Sequence, residues 1–288
     1  MATLKDIQLR MNSIKNTMQI TKAMKMVAAS KMRKAEESIT NSRPYSEKLK
    51  AIISNLSQGV DSSAHPLLMK REGGKAVALL ISTDRGLCGG LNANLCKQLN
   101  RFVPDQSNNF EVVELITFGK KGTEFFKNRG GNIVESFRDL KDKEMAEALQ
   151  KTVRGLIEKY INGEFNHLFL AYNRFNNVVS QTPIIKQVLP IEPPTTEDSD
   201  SEASTQFVFE PSSIGILNTI LPQYVENQAF TALLDNNASE HAARMTAMDS
   251  ATNNASDMLG KLQIQYNRAR QAAITSELIE IISGAEAV

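Results

Sequence analysis

The chain has 288 residues and a formal net charge of +1, so it can bury one large core or two ordinary ones and has no overall electrostatic pull toward nucleic acid or an anionic membrane. Two cysteines, Cys88 and Cys96, are too few for a disulfide framework and suit a reducing compartment. No apolar run of about 18 residues occurs, which predicts no bilayer span, and the N-terminus lacks the short apolar core of a secretory signal.

The first predicted element is a helix. Leu4, Ile7, Met11, Ile14, Met18 and Thr21 keep a strict heptad, and the apolar pattern then shifts by one residue to Met24, Ala28, Met32, Ala35 and Ile39. Such a shift predicts a local change of supercoil. The pattern runs to about Ser57 with Pro44 as an expected kink. At ~1.5 Å per residue, a helix from Leu4 to Leu56 is about 80 Å long. Its first half is basic: Lys5, Arg10, Lys15, Lys22, Lys25, Lys31, Arg33 and Lys34 stand against Asp6 alone.

The middle of the chain has a different rhythm. KAVALLIST (75–83) is a short apolar run of the kind covered on both faces. The loop DRGLCGG follows, then a helix near 91–102, a strand over 110–118, a helix near 120–128, a third strand over 132–137 and a helix over 143–161. His167 to Phe175 reads as a fourth strand, and Val178 to Ile191 as a fifth that Pro183 interrupts. Strands alternating with helices predict an α/β sheet with helices on its faces. An acidic stretch over 192–206 reads as a linker or loop.

The last element is a helix from near Ser213 to Ser283, about 105 Å at ~1.5 Å per residue. Met245, Met248, Thr252, Ala255, Leu259, Leu262, Tyr266, Ala269 and Ala273 recur at alternating steps of three and four, a seam that winds on a partner helix. Many of these side chains are small, so the partner can approach closely. Ile274, Leu278, Ile279, Ile281 and Ile282 make the end apolar on more than one face, which calls for surroundings on several sides. Two long seamed helices at opposite ends of one chain pair most simply antiparallel. The expected fold is therefore α/β: a long antiparallel coiled coil of N-terminal (1–57) and C-terminal (212–288) helices with an inserted Rossmann-like α/β domain (75–191).

Catalytic chemistry is hard to place on these residues. Gly86, Gly89 and Gly90 fit neither G-x-G-x-x-G nor the lysine-bearing phosphate loop, so the stretch reads as a tight strand-to-helix turn or contact loop. His65, His167 and His241 lie far apart, without ligand spacing. Cys88 has Asp84 and Arg85 beside it but no evident base, and reads as a packed or surface thiol. The basic face of the first helix lacks the aromatic and arginine-rich company of a nucleic-acid surface. It is either solvated or docked on an acidic protein surface. A dinucleotide-binding enzyme dimerised through its helices and a self-associating scaffold coiled coil remain open on periodicity alone.

Four blocks carry a resemblance: ITKAMKMVAASKMRKA (20–35), STDRGLCGGLN (82–92), ASEHAARMTAMDSATNNASDMLGKL (238–262) and YNRARQAAITSELIEIISGA (266–285). Together, and in this order, they resemble the gamma-subunit family of F-type ATP synthases. Lack of a transit peptide and of a cysteine-bearing insertion points to a bacterial member. The resemblance implies a non-catalytic rotor shaft that couples ion-driven rotation of the c-ring to ATP synthesis or hydrolysis at the beta subunits and regulates ion flow. It implies one copy per complex, not a homo-oligomer. The partners it implies are the alpha and beta subunits, the epsilon subunit and the c-ring. Contact with the membrane is then only indirect, at the cytoplasmic face of the bacterial inner membrane, with no nucleic acid involved. No cofactor is expected on this chain; ATP, ADP and magnesium belong to partner subunits.

By position, the resemblance places Met24, with Lys22 and Lys25, against acidic loops of beta. It gives Arg244 a role in coupling and sets Arg270 and Gln271 on the beta catch loop, with Thr275 and Glu277 nearby. Ile274, Leu278, Ile281 and Ile282 would turn in an apolar bearing, and Cys88 would lie near the base of the hexamer. Tyr45, Phe209 and Glu210 are the expected foot on epsilon and the c-ring. Met18-Gln19, Ser276 and Phe209 depart from the family's usual residues, and Phe209 puts a hydroxyl contact of the foot in question.

Overall fold

The computed structural model describes residues 3–57, 65–71, 73–103, 110–192 and 213–286. Ten elements follow in order: α1 (Leu4–Ser57), β1 (Lys75–Ile81), α2 (Leu91–Phe102), β2 (Val112–Phe118), α3 (Lys120–Lys127), β3 (Ile133–Phe137), α4 (Asp142–Ile161), β4 (His167–Phe175), β5 (Gln181–Leu189) and α5 (Ser213–Glu286). The two terminal helices have 54 and 74 residues, several times the ordinary three turns, and each includes a proline, Pro44 and Pro222, without a break in the assigned helix.

The residues divide into two compact units, 1–30 with 244–288 and 31–243. In the larger unit the sheet order is β3-β2-β1-β4-β5. The first four strands are parallel and β5 lies antiparallel on the β4 edge. β1 is buried from Ala76 to Ile81, as its unbroken apolar run requires of a central parallel strand. Val77, Leu79 and Ile81 face one core with α4, the end of α1 and the first turns of α5; Ala76, Ala78 and Leu80 face the other with α2 and α3. The sheet thus has helices on both sides, the doubly wound architecture expected for the insert.

β5 runs unbroken through Pro183, contrary to the interruption the sequence led us to expect. Pro183 pairs with Asn173 on an edge strand, where one side of the backbone needs no ladder hydrogen bond, so the missing N–H is tolerated. The expected linker over 192–206 lies, apart from Glu192, outside the described residues, as do Phe209 and Glu210.

At the N-terminus of α1, the Thr3 hydroxyl donates to Asp6 Oδ2 at 2.8 Å and the Asp6 N–H donates back to Thr3 Oγ1 at 3.2 Å. This reciprocal pair satisfies donors that the first helical turn leaves open. The hydrogen bonds from Thr3 hold the Asp6 carboxyl below its ordinary pKa.

Candidate functional site: the paired-helix shaft

Within the smaller unit, the start of α1 packs on the end of α5. The threonine hydroxyls of Thr21 and Thr252 lie 2.8 Å apart, and Lys25 Nζ lies 2.6 Å from Asp249 Oδ1. Moving four residues forward on α1 moves three back on α5, so the helices are antiparallel. Extending this register puts Met18 opposite Ala255, Ile14 opposite Leu259, Met11 opposite Leu262, Ile7 opposite Tyr266 and Leu4 opposite Ala269. These are the two seams read independently from the sequence, and every one of these residues is less exposed than the outer faces of its helix. Two apolar stripes at matching heptad spacing have closed on one another.

One expectation of the sequence is corrected here. The burial pattern of α1 does not jump by one residue after Thr21. Its strict heptad continues through half-buried Lys25 to buried Ala28 and half-buried Met32. The apolar pattern seemed to shift because the heptad position carries a lysine, while neighbouring Met24 is also half-buried. The lysine is admitted because its stem lies along the seam and its ammonium reaches Asp249. Both side chains retain 41–47% exposure, so the pair is worth roughly 0–1 kcal/mol in stability.

Thr3, the first described residue, falls opposite Arg270 in this register, and the last turns of α5 follow. Ile274, Leu278, Ile279, Ile281 and Ile282 are 49–68% exposed there. Arg270, Gln271, Thr275 and Glu277 are exposed on the same stretch, and the Thr275 hydroxyl donates to the Gln271 carbonyl at 2.9 Å. Lys22 is exposed on α1, whereas Arg244 is buried at 9% exposure. Ile20, Met26 and Val27 add apolar surface to the outer face of α1, 58–60% exposed.

Two further predicted residues belong to the larger unit. Tyr45 is exposed on α1. Cys88 is buried in the loop after β1, with the Asn92 amide 3.3 Å from its sulfur. In that loop Asn92 also donates to Thr83 Oγ1 at 2.7 Å, and Asp84 Oδ1 accepts from the Lys120 N–H that opens α3 at 2.8 Å. Its polar groups tie β1 to α2 and α3, in keeping with a tight turn. Burial pushes the Cys96 thiol up to about 12, so it stays protonated and unreactive. No cluster of histidine, cysteine and carboxylate suited to a metal occurs among the described residues. No helix among them is long and apolar enough to cross a membrane.

Sequence reading missed the buried amide junction that fastens α5 to the sheet. Asn236 Oδ1 accepts from the Asn173 side chain at 3.0 Å and from its backbone N–H at 3.4 Å, and Ser239 donates to the Asn173 carbonyl at 3.0 Å. The available signal was Asn236 and Ser239 in a helical stretch otherwise rich in alanine and leucine. Asp249 was missed as well, although it lies one residue from a seam position.

An antiparallel pairing of the two long terminal helices, with an α/β sheet inserted between them in sequence, defines a coiled-coil subunit with a doubly wound insert. A family model described as ATP synthase matches residues 3–288. The ATP synthase gamma chain of Geotalea daltonii is 48% identical, covering 100% of this chain and 99% of its own. That of Actinobacillus pleuropneumoniae is 44% identical with 100% of both chains covered. The chain belongs to the ATP synthase gamma-chain family. Its fold resembles a chain in the Euglena gracilis mitochondrial ATP synthase OSCP/F1/c-ring structure in rotational state 3, with TM-score 0.69 at 21% identity over 99% of this chain and 94% of that one. A chain of the Tetrahymena thermophila mitochondrial central stalk and c-ring structure gives TM-score 0.60 at 23% identity, covering 81% and 99%.

Proposed function

We propose that this chain is the central rotor shaft of an F-type ATP synthase, a non-catalytic subunit that couples rotation of the c-ring to ATP synthesis or hydrolysis on the beta subunits. The observation that carries this reading is the end of α5. Five large apolar side chains stand exposed on the last turns of α5, and an exposed apolar cluster of this size marks a surface that a partner covers. Ile274, Leu278, Ile281 and Ile282 fit a bearing formed by the alpha and beta subunits. Just below them, Arg270, Gln271, Thr275 and Glu277 offer polar contacts that can form at some orientations and break at others. A rigid asymmetric shaft biases bistable neighbours this way, each orientation favouring a different set of partner conformations.

In this reading Met24, Lys22, Lys25 and Arg244 also contribute to coupling. Tyr45, Phe209 and Glu210 belong to the foot on epsilon and the c-ring, and Cys88 lies near the base of the hexamer. One copy serves each complex, at the cytoplasmic face of the bacterial inner membrane, and regulates ion flow through the membrane sector. Nucleotides and magnesium bind on the partner subunits.

The test is turnover by the assembled complex. Gln271→Leu and Arg270→Ala are expected to lower ATP hydrolysis while alpha, beta and this chain still co-purify. Unchanged turnover in both removes these residues from the coupling role. Failure of the chain to co-purify with alpha and beta subunits overturns the shaft reading itself.

A further inference from the structure

We propose that Leu87, in the loop between β1 and α2, is an anchor for an apolar pocket of an alpha or beta subunit whose rim carries carboxylates. The proposal rests on the placement of Cys88 at the base of the hexamer and sharpens it. Cys88 is itself buried, so Leu87 is the side chain of this pair that a partner can touch.

Among the described residues, two other than glycine have positive φ, Leu87 at 63° and Asp139 at 56°. An aspartate tolerates that region because its short polar side chain bonds locally. Leucine has no such compensation: its Cβ crowds the backbone, and glycine would hold the same turn without strain. Positions 86, 89 and 90 of this loop are already glycine. A leucine is worth its strain when its side chain fills a core, yet Leu87 is 62% exposed. It burdens the backbone and adds little to the packing. Val179 is more exposed, at 85%, but it does not sit at positive φ, and a single exposed apolar residue in relaxed backbone needs no explanation. Strain and exposure together at one leucine mark a side chain held out for contact.

The loop is fixed without help from that side chain. Asn92 Oδ1 accepts from the Thr83 N–H at 3.2 Å, the Asn92 amide donates to Thr83 Oγ1 at 2.7 Å, and the Thr83 hydroxyl donates to the Arg85 carbonyl at 2.6 Å. From α3, the Lys121 N–H donates to the Thr83 carbonyl at 3.0 Å and the Lys120 N–H to Asp84 Oδ1 at 2.8 Å. Leu87 is thus presented on a stiff support and loses little freedom on binding. The charges around it select the partner. Arg85 and Lys120 are exposed and enter no ion pair among the described residues, while Asp84 is engaged by the Lys120 N–H. An apolar pocket with aspartate or glutamate at its rim matches an apolar point flanked by two cations.

A turning shaft makes such a contact at some orientations, so its loss is read in turnover rather than in assembly. In the assembled complex, a photo-cross-linking phenylalanine analogue in place of Leu87 is expected to label one segment of an alpha or beta subunit, apolar with acidic flanks. Leu87→Gly is expected to lower ATP turnover roughly fivefold, Leu87→Asp at least as much, and Leu87→Met hardly at all. Hydrogen exchange of β1 and α2 in Leu87→Gly should be as slow as in the parent or slower, because glycine relieves the strained turn. A residue needed only for folding would show the opposite, with turnover falling as exchange quickens. The anchor is overturned by that result, by parental turnover in Leu87→Gly, by absent or scattered cross-links, or by cross-linking to epsilon or the c-ring. The shaft reading fails separately, if the parent chain does not co-purify with alpha and beta subunits; the anchor fails with that complex intact.

Discussion

Asn173 and Asn236 are joined by two hydrogen bonds to one oxygen: Asn236 Oδ1 accepts from both the side-chain amide and the backbone N–H of Asn173, and both residues are 1% exposed. This contact fastens the C-terminal end of β4 to the long helix α5, and Ser239 reinforces it from the next turn. Replacing Asn236 by Leu keeps the volume but leaves a buried N–H and a buried amide without an acceptor, at about 1–3 kcal/mol each. Asn236→Leu is expected to destabilise the sheet unit by roughly 2–4 kcal/mol. Faster hydrogen exchange at β4 amides in the assembled complex would register that loss, and unchanged protection would show the junction to be dispensable.

Gly119, between β2 and α3, has φ +96°, and a Cβ there would collide with the Ser82 carbonyl. The close approach is useful because the Ser82 hydroxyl donates to the Phe118 carbonyl at 2.9 Å and accepts from the Gly122 N–H at 2.9 Å. Gly119→Ala must both strain the backbone and push β1 from β2. The expected cost is about 2–4 kcal/mol, seen as a lower midpoint of denaturant unfolding. A variant as stable as the parent would mean that the loop relaxes freely.

Burial pushes the Asp235 carboxyl up to about 6, against the opposing pull of Arg174 and Arg43. Because the folded pKa exceeds the unfolded value near 3.8, the folded state holds the extra proton between these limits. Stability contributed by protonated Asp235 is therefore present at low pH, lost as pH rises through about 6 and absent above it. Asp235→Asn should remove this slope and raise stability at pH 7.5 by about 1–2 kcal/mol, allowing for the solvent that still reaches the group. Comparing hydrogen exchange of α5 at pH 5 and pH 7.5 in both proteins tests the sign.

Arg154 and Gln150 on α4 both bind Glu226 on α5, at 2.7 and 3.0 Å. Burial raises the Glu226 pKa, but these partners together outweigh it and hold the carboxyl below its ordinary value. A depressed pKa contributes stability above the unfolded value that disappears as pH falls through the folded one. Arg154→Met leaves Glu226, only 18% exposed, without its charge partner. The expected loss is larger at neutral pH than in acid, measured as the difference in unfolding midpoint at pH 7 and pH 4.

Much of this architecture is visible along the chain because it is periodic. Heptad steps from Leu4 to Thr21 and from Met245 to Ala273, unbroken by glycine or proline except for Gly260, specify two seamed helices wherever they are placed. The apolar run of β1 and its alternation with helical stretches specify a parallel sheet covered on both faces. The excess of isoleucine after Ala273 marks an end that requires cover.

What the sequence could not decide is which residue meets which. Lys25 looked like an interruption of the seam because apolar periodicity records one helix at a time, whereas the identity of its counterpart, Asp249, depends on the alignment of both. Asn173 and Asn236 lie 63 residues apart and acquire meaning only when the sheet and α5 exclude water from them together. Pro183 read as a strand break until the topology put it on an edge, where its missing N–H is tolerated. The sequence by itself determined helices, strands and apolar faces, since those follow from local sterics and hydrophobic spacing. Register and the pairing of Lys25 with Asp249 were decided by tertiary structure, because they depend on which segments meet, and local spacing does not specify that.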